Sequence, residues 1–143
     1  MKINRSASAA WSGGLRDGRG SISTESGALS AYPYGFAARF EGKKGTNPEE
    51  LLGAAHAGCF TMALSLILGE AKFTAEQMDT TAKVTLEQAD GGFSIPAVHL
   101  TLRAKIPGID QATFEELAAK AKAGCPLSKV LKANITLDAS LVV

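Results

Sequence analysis

The chain has 143 residues, of which 45% are hydrophobic and 20% are charged, and its formal net charge at pH 7 is +1. This length and composition are typical of a soluble globular domain with a core of its own. The 15 basic residues nearly balance the 14 acidic ones and form no basic cluster interleaved with aromatic residues, which argues against nucleic acid as a partner.

The N-terminal sequence MKINRSASAAWSGG lacks the apolar segment of a secretory signal, so we expect a cytoplasmic protein. The chain contains 2 cysteines, Cys59 and Cys125, which are too few for a disulfide framework. A reducing cytosol disfavours a structural disulfide in any case. Any pairing of these two thiols is therefore expected to be transient and chemical.

The first 45 residues are predicted to form a meander of short strands, among them RGSIST and YGFAARFEG, with glycines at the turns. The sequence TNPEE then predicts the start of a helix. Asn47 is its N-cap, Pro48 suits the first position, and Glu49 and Glu50 lie in the first turn, with Glu50 closing a capping-box-like pattern. This central helix is predicted to end near Leu68.

The central helix is apolar on every side. A helix of this kind is buried, either in a protein core or in a membrane. The polar and small residues within it, together with the helix-start signals before it, favour a core helix over a membrane span, so we expect no membrane as a partner. One small sheet would not cover all its faces, so we expect a second subunit to bury the remainder.

A predicted hairpin follows, formed by TTAKVTLEQ, the turn ADGG and FSIPAVHLTLRAKI. The remaining segments predict an amphipathic helix ending at Gly124, a short helix PLSKVLKA and a last strand NITLDASLVV. This order indicates an α+β fold with no alternating βαβ units. We expect one domain over residues 1–143, with N-terminal strands over 1–45 and the central helix and C-terminal α+β part over 46–143.

The two cysteines are expected to differ in reactivity. Cys125 precedes Pro126, which places it at or near a helix N-cap, where the positive end of the helix dipole favours a thiolate. Cys59 lies well inside its helix, where apolar surroundings raise the pKa of a thiol, so it needs a nearby cation to be reactive. Arg39, Arg16 and Arg19 are candidates, although each could equally be an ordinary surface arginine.

Glu49 and Glu50 are explained as acids in the first turn of a helix. Glu49 lies ten residues before Cys59, which corresponds to roughly 15 Å along a straight helix. A hydrogen bond between the two within one helix is therefore excluded. If they share a site, the glutamate belongs to another chain or the helix is broken.

The two histidines offer alternative chemistry. His56 lies three residues before Cys59 on a neighbouring part of the helix face, which would suit a Cys–His nucleophile pair. A metal site of His56, Cys59, Cys125 and His99 is a second alternative, but its spacing matches no standard zinc pattern. A hydrogen-bonded histidine in a partly buried position is commoner than either, and we expect neither a metal nor a cofactor.

The segment RFEGKKGTNPEELLGAAHAGCFTMALSL strongly resembles the OsmC/Ohr family, and specifically its osmotically inducible protein C branch. GRGSISTESGAL, PYGF, DTTAKVTLE, PGIDQATFEE and KAGCPLSKVLKANITLD extend the resemblance over essentially the whole chain. It implies a thiol peroxidase acting on organic hydroperoxides in oxidative and osmotic stress defence. It also implies the OsmC-like fold, as an intertwined α+β homodimer with two active sites at the subunit interface.

By this resemblance, Cys59 is the peroxidatic cysteine and Cys125 the resolving cysteine. The implied reaction forms a sulfenic acid on Cys59 and then a Cys59–Cys125 disulfide, which a dithiol reductant reduces. The alternative is a non-catalytic carrier or sensor that holds an apolar ligand in the dimer cleft, with the cysteines as packing.

The family pattern also implies an assisting arginine and glutamate. Arg39 in RFEG matches the arginine of this branch, while RDGR at 16–19 keeps Arg16 as a rival. Glu49 matches the glutamate of NPE, with the adjacent Glu50 as the alternative. An apolar lining would favour alkyl hydroperoxides over hydrogen peroxide, and its candidates are Phe36, Phe40, Phe60, Met62 and Leu127.

Overall fold

Three antiparallel strands form the N-terminal sheet: β1 (Ala7–Ser12), β2 (Arg19–Thr24) and β3 (Tyr32–Tyr34), in that spatial order. They belong to a computed structural model that describes residues 1–143. The chain separates into two units, Met1–Leu51 and Leu52–Val143. The N-terminal strand meander is thus present as predicted as far as Tyr34.

The prediction of a strand for YGFAARFEG is wrong, because this segment contains the one-turn helix α1 (Phe36–Phe40). The amide of Arg39 donates to the carbonyl of Gly35, and the amide of Glu41 donates to that of Ala37. The rings of Phe36 and Phe40, four residues apart, pack with centroids separated by 5.0 Å. Aromatic residues suit strands in general, but here these local contacts favour the helix.

The first unit has almost no buried core. Thr46 is its one buried residue, while Trp11, Leu15, Tyr32 and Phe40 remain exposed. A three-stranded sheet needs an apolar face packed against something to be stable in water. The stability of this unit therefore depends on apolar contacts from outside the unit.

Helix α2 (Pro48–Glu70) begins where the sequence predicts and ends two residues later than expected. The Asn47 side chain accepts a hydrogen bond from the Glu50 amide at 2.8 Å, as an N-cap does. The Glu50 carboxylate accepts from the hydroxyl of Thr46 at 2.7 Å. Glu50 thus bonds to the side-chain hydroxyl of the residue before the N-cap, and not to the N-cap amide as in the predicted capping box.

Within the single chain, α2 is buried along one stripe, which agrees with the expectation that one small sheet does not cover all its faces. The stripe consists of Gly53, His56, Phe60, Leu64 and Leu68. On another face Met62 and Leu66 are 77% and 66% exposed. By length and composition α2 could also cross a membrane, and 28% of its apolar window is buried in the chain. The core helix of a soluble protein has the same length and composition.

The second unit contains a mixed sheet with β5 (Gly92–Lys105) in the middle. Strand β4 (Gln77–Ala89) pairs with it antiparallel through a tight turn, in which Asp90 and Gly91 both have positive φ. Strand β6 (Asn134–Leu141) pairs with β5 in parallel. The predicted hairpin and final strand are therefore both present.

Helices α3 (Gln111–Gly124) and α4 (Pro126–Val130) connect β5 to β6. Parallel neighbouring strands require such a crossover, so this segment is a βαβ-type unit. This single crossover does not make an alternating series of βαβ units, so the predicted α+β class is confirmed. The pairing partner of the last strand was not readable from the sequence.

The core of the second unit lies between this sheet and the helices. Strand β5 buries alternate residues from Val98 to Ala104 and turns Thr101 and Arg103 to solvent, as the alternation predicts. From the helices, Phe60, Leu64, Leu68, Phe114, Ala118, Ala121 and Cys125 complete the buried cluster. This core holds the middle of α2 and the start of α4 side by side, and with them the two cysteines.

Candidate active site

The thiols of Cys59 and Cys125 meet in the second unit. Cys59 lies on α2, Cys125 is the N-cap of α4, and the Cys125 side chain lies close enough to Cys59 to raise the pKa of its thiol. Both are free cysteines; Cys125 is buried and Cys59 is partly buried. The sequence predicted that the two cysteines lie on separate helices, but it did not predict that they lie side by side.

The surroundings of Cys59 disfavour its thiolate. Burial raises the pKa of the Cys59 thiol most, and a hydrogen bond from the backbone N–H of Leu127 lowers it. The hydrogen bond to Cys125 and the charge of that group raise the pKa further. The net direction is upward, as expected for a thiol in apolar surroundings, so Cys59 needs a cation to ionise readily.

The N-terminus of α4 acts on Cys59 through the Leu127 amide. The first amides of a helix have no partner within it, and that of Leu127 lies close enough to the Cys59 sulfur to lower the pKa of the thiol. Helix α4 spans only Pro126–Val130 and is shorter than the predicted PLSKVLKA. The contribution of the Leu127 backbone to Cys59 was missed, because no side-chain motif signals it.

His56 is buried and bonds to α4 rather than to a cysteine. Its Nε2 lies 2.8 Å from the hydroxyl oxygen of Ser128, and its Nδ1 is buried without a hydrogen-bond partner. Burial lowers the pKa of His56, which favours the neutral imidazole. The contact between His56 and Ser128 thus links α4 to α2, and His56 forms no hydrogen bond with Cys59. Ser128 was not singled out from the sequence.

His99 lies on the solvent-facing side of the second sheet, away from the buried thiols. Its Nδ1 and Nε2 lie 2.5 Å from the Thr136 hydroxyl and 3.2 Å from the Asp138 carboxylate. The metal alternative built from His56, His99 and the two cysteines is therefore not assembled. The chain contains no group of three or more histidine, cysteine or acidic side chains that could hold a metal ion.

In the first unit, Arg39 and Glu49 form an ion pair. The Nε and Nη2 atoms of Arg39 donate to Oε1 of Glu49 at 3.0 and 2.5 Å, and the glutamate side chain is 12% exposed. Glu50, the neighbouring alternative, is engaged with Thr46 instead. The rival Arg16 forms no salt bridge and lies with its guanidinium 4.5 Å from the centroid of the Phe36 ring.

An aromatic cavity of about 220 Å³ lies beside Arg39 in the first unit. Its lining, with Arg39 itself, is Trp11, Leu15, Tyr34, Gly35, Phe36 and Phe40. Phe36 and Phe40, two of the residues predicted to line a substrate pocket, line this cavity. The other three lie elsewhere: Phe60 has no exposed surface and belongs to the core, Met62 is exposed on α2, and Leu127 packs against the core.

The comparisons with known proteins all indicate the same family. The OsmC-like protein family matches residues 41–140. Peroxiredoxin OsmC of Escherichia coli (strain K12) is 57% identical over 141 residues, which cover 99% of both chains. An organic hydroperoxide resistance protein of Xanthomonas axonopodis pv. citri is 34% identical over 101 residues, covering 70% of this chain and 69% of that protein.

The fold has solved counterparts. The crystal structure of the organic hydroperoxide resistance protein OhrB of Bacillus subtilis superposes with a TM-score of 0.70 at 30% identity. The superposition covers 94% of this chain and 98% of that one. The α+β arrangement of two sheets and helices is therefore one that solved members of this family share.

Proposed function

Because this chain belongs to the OsmC-like protein family, we propose that it is a thiol-dependent peroxidase that reduces organic hydroperoxides to alcohols in oxidative and osmotic stress defence. The observation that carries this proposal is that the free thiols of Cys59 and Cys125 lie side by side at the core of the second unit. A nucleophilic thiol with a second thiol in contact is the arrangement that a sulfenic acid–disulfide cycle requires.

The reaction begins at Cys59. Its thiolate attacks the outer oxygen of the hydroperoxide, so that an S–O bond forms and the O–O bond breaks. The electron pair of that bond leaves with the alkoxide, which takes a proton and departs as the alcohol. The Cys125 sulfur then attacks the sulfenic acid of Cys59, and water is released as the disulfide forms. An external dithiol reductant returns both thiols to their starting state.

We assign the assisting roles to Arg39 and Glu49. The guanidinium stabilises the Cys59 thiolate, whose pKa is raised by its own surroundings, and polarises the peroxide. Glu49 orients the guanidinium through charge-assisted hydrogen bonds. Because Glu49 and Cys59 stand far apart along one helix, the Arg39–Glu49 pair of one protomer serves Cys59 of its partner.

The active form is accordingly a homodimer, intertwined so that each site draws on both protomers. The apolar face of α2 around Met62 and Leu66, exposed in the single chain, supports such an interface. So does the first unit, which buries no core of its own. We assign the protein to the cytoplasm, where dithiol reductants are available.

The aromatic cavity beside Arg39 supports a preference for organic hydroperoxides over hydrogen peroxide. Burial of an alkyl or aryl group there is favourable, and hydrogen peroxide has no such group. The alternative of a non-catalytic carrier has no comparable support, because the named relatives are a peroxiredoxin and a hydroperoxide resistance protein.

Hydroperoxide consumption by the wild type, Cys59→Ser and Cys125→Ser tests the proposal. We expect Cys59→Ser to lose turnover completely. Cys125→Ser should consume about one equivalent and gain the mass of one oxygen atom, about 16 Da, on Cys59. The wild type treated with one equivalent of cumene hydroperoxide should contain a Cys59–Cys125 disulfide. Turnover that survives in Cys59→Ser would favour the carrier alternative.

A further inference from the structure

A second cavity of the first unit is strongly cationic. It has a volume of about 430 Å³, and the side chains of Arg16, Arg19, Lys43 and Lys44 line it. They come from two separate segments, one around the start of β2 and one after α1. No acidic residue lines the cavity. The folded chain thus collects four positive charges around one concave surface.

These charges are not compensated within the chain. None of the four side chains takes part in a salt bridge. The nearest acid in sequence to Arg16 is Asp17, whose carboxylate accepts a hydrogen bond from the Gly14 amide and does not line the cavity. The protein as a whole is almost neutral, so the excess of positive charge is confined to this cavity. Such a local positive charge attracts an oxyanion.

The cationic cavity adjoins the aromatic cavity beside Arg39. Tyr34, Gly35 and Phe36 line both. The Arg16 guanidinium lies over the Phe36 ring, 4.5 Å from its centroid, and so marks the border between them. Two adjoining cavities, one cationic and one aromatic, match a molecule with a charged end and an apolar body.

Gly20 allows the rings of Tyr34 and Trp11, which line the aromatic cavity, to pack against β2. A Cβ atom there would lie 2.5 Å from the ring atom Cε1 of Tyr34 and 2.6 Å from Cε3 of Trp11. The two rings themselves meet edge to face, with centroids 5.6 Å apart. Only a glycine allows both rings to pack on β2, so the border between the two cavities is a built part of the fold.

We propose that the cationic cavity binds the oxyanion, a carboxylate or phosphate, of an amphipathic hydroperoxide whose apolar body occupies the aromatic cavity beside Arg39. This inference rests on the proposed peroxidase function and names the class of substrate that the site selects. Arginine and lysine are the side chains that recognise such oxyanions. Neutral hydroperoxides would use the aromatic cavity alone.

Turnover of two matched substrates tests the proposal. A long-chain fatty-acid hydroperoxide and its methyl ester differ only in the anionic group, and the variant Lys43→Gln/Lys44→Gln removes two of the four cavity charges. We expect its kcat/KM for the acid to fall by about fivefold, with a change of less than about twofold for the ester. The loss should shrink at high ionic strength.

The matched control is Lys120→Gln/Lys132→Gln, which removes the same charge from exposed positions outside the cavity. It should leave the ratio of kcat/KM for acid and ester unchanged. Equal losses for the acid and the ester in the cavity variant, or the same loss in the control, would overturn the proposal.

Binding of redox-inert ligands separates this inference from the peroxidase function. Dodecanoate and dodecyl phosphate should each bind the reduced wild-type protein, as followed by calorimetry, and bind more weakly to the cavity variant. Whichever binds more tightly identifies the oxyanion. If only inorganic phosphate binds, the cavity is a free-anion site and the proposal fails. Binding of dodecanoate without any hydroperoxide turnover would overturn the peroxidase function while leaving the anion site intact.

Discussion

The Cys59 thiol lies beside the Cys125 thiol in a partly buried, apolar site. Burial raises the pKa of Cys59, the Leu127 amide partly opposes this, and the contact with Cys125 raises the pKa further. The contact that allows rapid disulfide formation therefore also disfavours the reactive thiolate. A cation from elsewhere has to offset both effects.

Removal of the Cys125 thiol should lower the pKa of Cys59. In Cys125→Ala the hydrogen bond and the charge of residue 125 disappear, and both raise the pKa in the wild type. The rate of alkylation of Cys59 by iodoacetamide as a function of pH measures the change. Val130→Ala, an exposed position on α4, should titrate like the wild type. A Cys59 pKa that is unchanged or higher in Cys125→Ala would contradict the contact.

Substitution of Glu49 should lower activity, whereas substitution of Glu50 should lower stability. Glu49→Gln weakens the hold on Arg39, and we expect kcat/KM to fall by about tenfold. Glu50→Gln perturbs the bond with Thr46 at the start of α2. It should cost about 1 kcal/mol of unfolding free energy and change kcat/KM by less than about twofold. Steady-state kinetics and urea unfolding distinguish the two, and an equal loss of activity in both variants would reject Glu49 as the partner of Arg39.

Arg39→Lys tests the geometry of the ion pair apart from its charge. Lysine keeps the positive charge but cannot donate from two nitrogens of a planar fork. We expect kcat/KM to fall by at least about tenfold, whereas Arg16→Lys should have a smaller effect. If Arg16→Lys proves the more damaging variant with a neutral hydroperoxide, the assignment of the two arginines has to be exchanged.

His56 should make the protein less stable in mild acid. Because burial lowers its pKa in the folded state, the unfolded chain binds a proton more readily below about pH 6.5, the usual titration point of histidine. Stability is then lost as the pH falls through that point. The urea midpoint should fall less between pH 8 and pH 5.5 in His56→Gln than in the wild type.

Val130→Ala is the control for that measurement, since it shortens an exposed side chain on α4 that carries no ionisable group. It should retain the wild-type dependence on pH. If it flattens the profile as much as His56→Gln does, the loss of stability does not come from the buried imidazole.

The exposed face of α2 should be a subunit interface. Leu66→Glu places a charge among apolar side chains that a partner would cover. We expect sedimentation velocity to give a dimer for the wild type and a monomer for this variant. Val130→Glu introduces the same charge at another exposed apolar position and should stay dimeric. A monomeric wild type would remove the proposed sharing of the site between protomers.

Local signals in the sequence located most elements. Asn47 and Pro48 marked the start of α2, the turn ADGG joined β4 to β5, and Gly124 ended α3. The resemblance also singled out Arg39 and Glu49, which the structure brings together, although their catalytic roles remain predictions. The one-turn helix α1 was missed, because five residues are too few for a helical period to be visible.

What the sequence determined by itself was therefore local: caps, turns, alternating burial and the chemical types of the candidate residues. Tertiary structure alone decided which distant groups meet. The parallel pairing of β6 with β5 and the packing of α4 on α2 bring Cys125, the Leu127 amide and Ser128 to Cys59 and His56. Tertiary structure also brings the four cationic side chains of the cavity together from two segments of the chain. Periodicity and capping act within a few residues, whereas these contacts depend on how the whole chain packs.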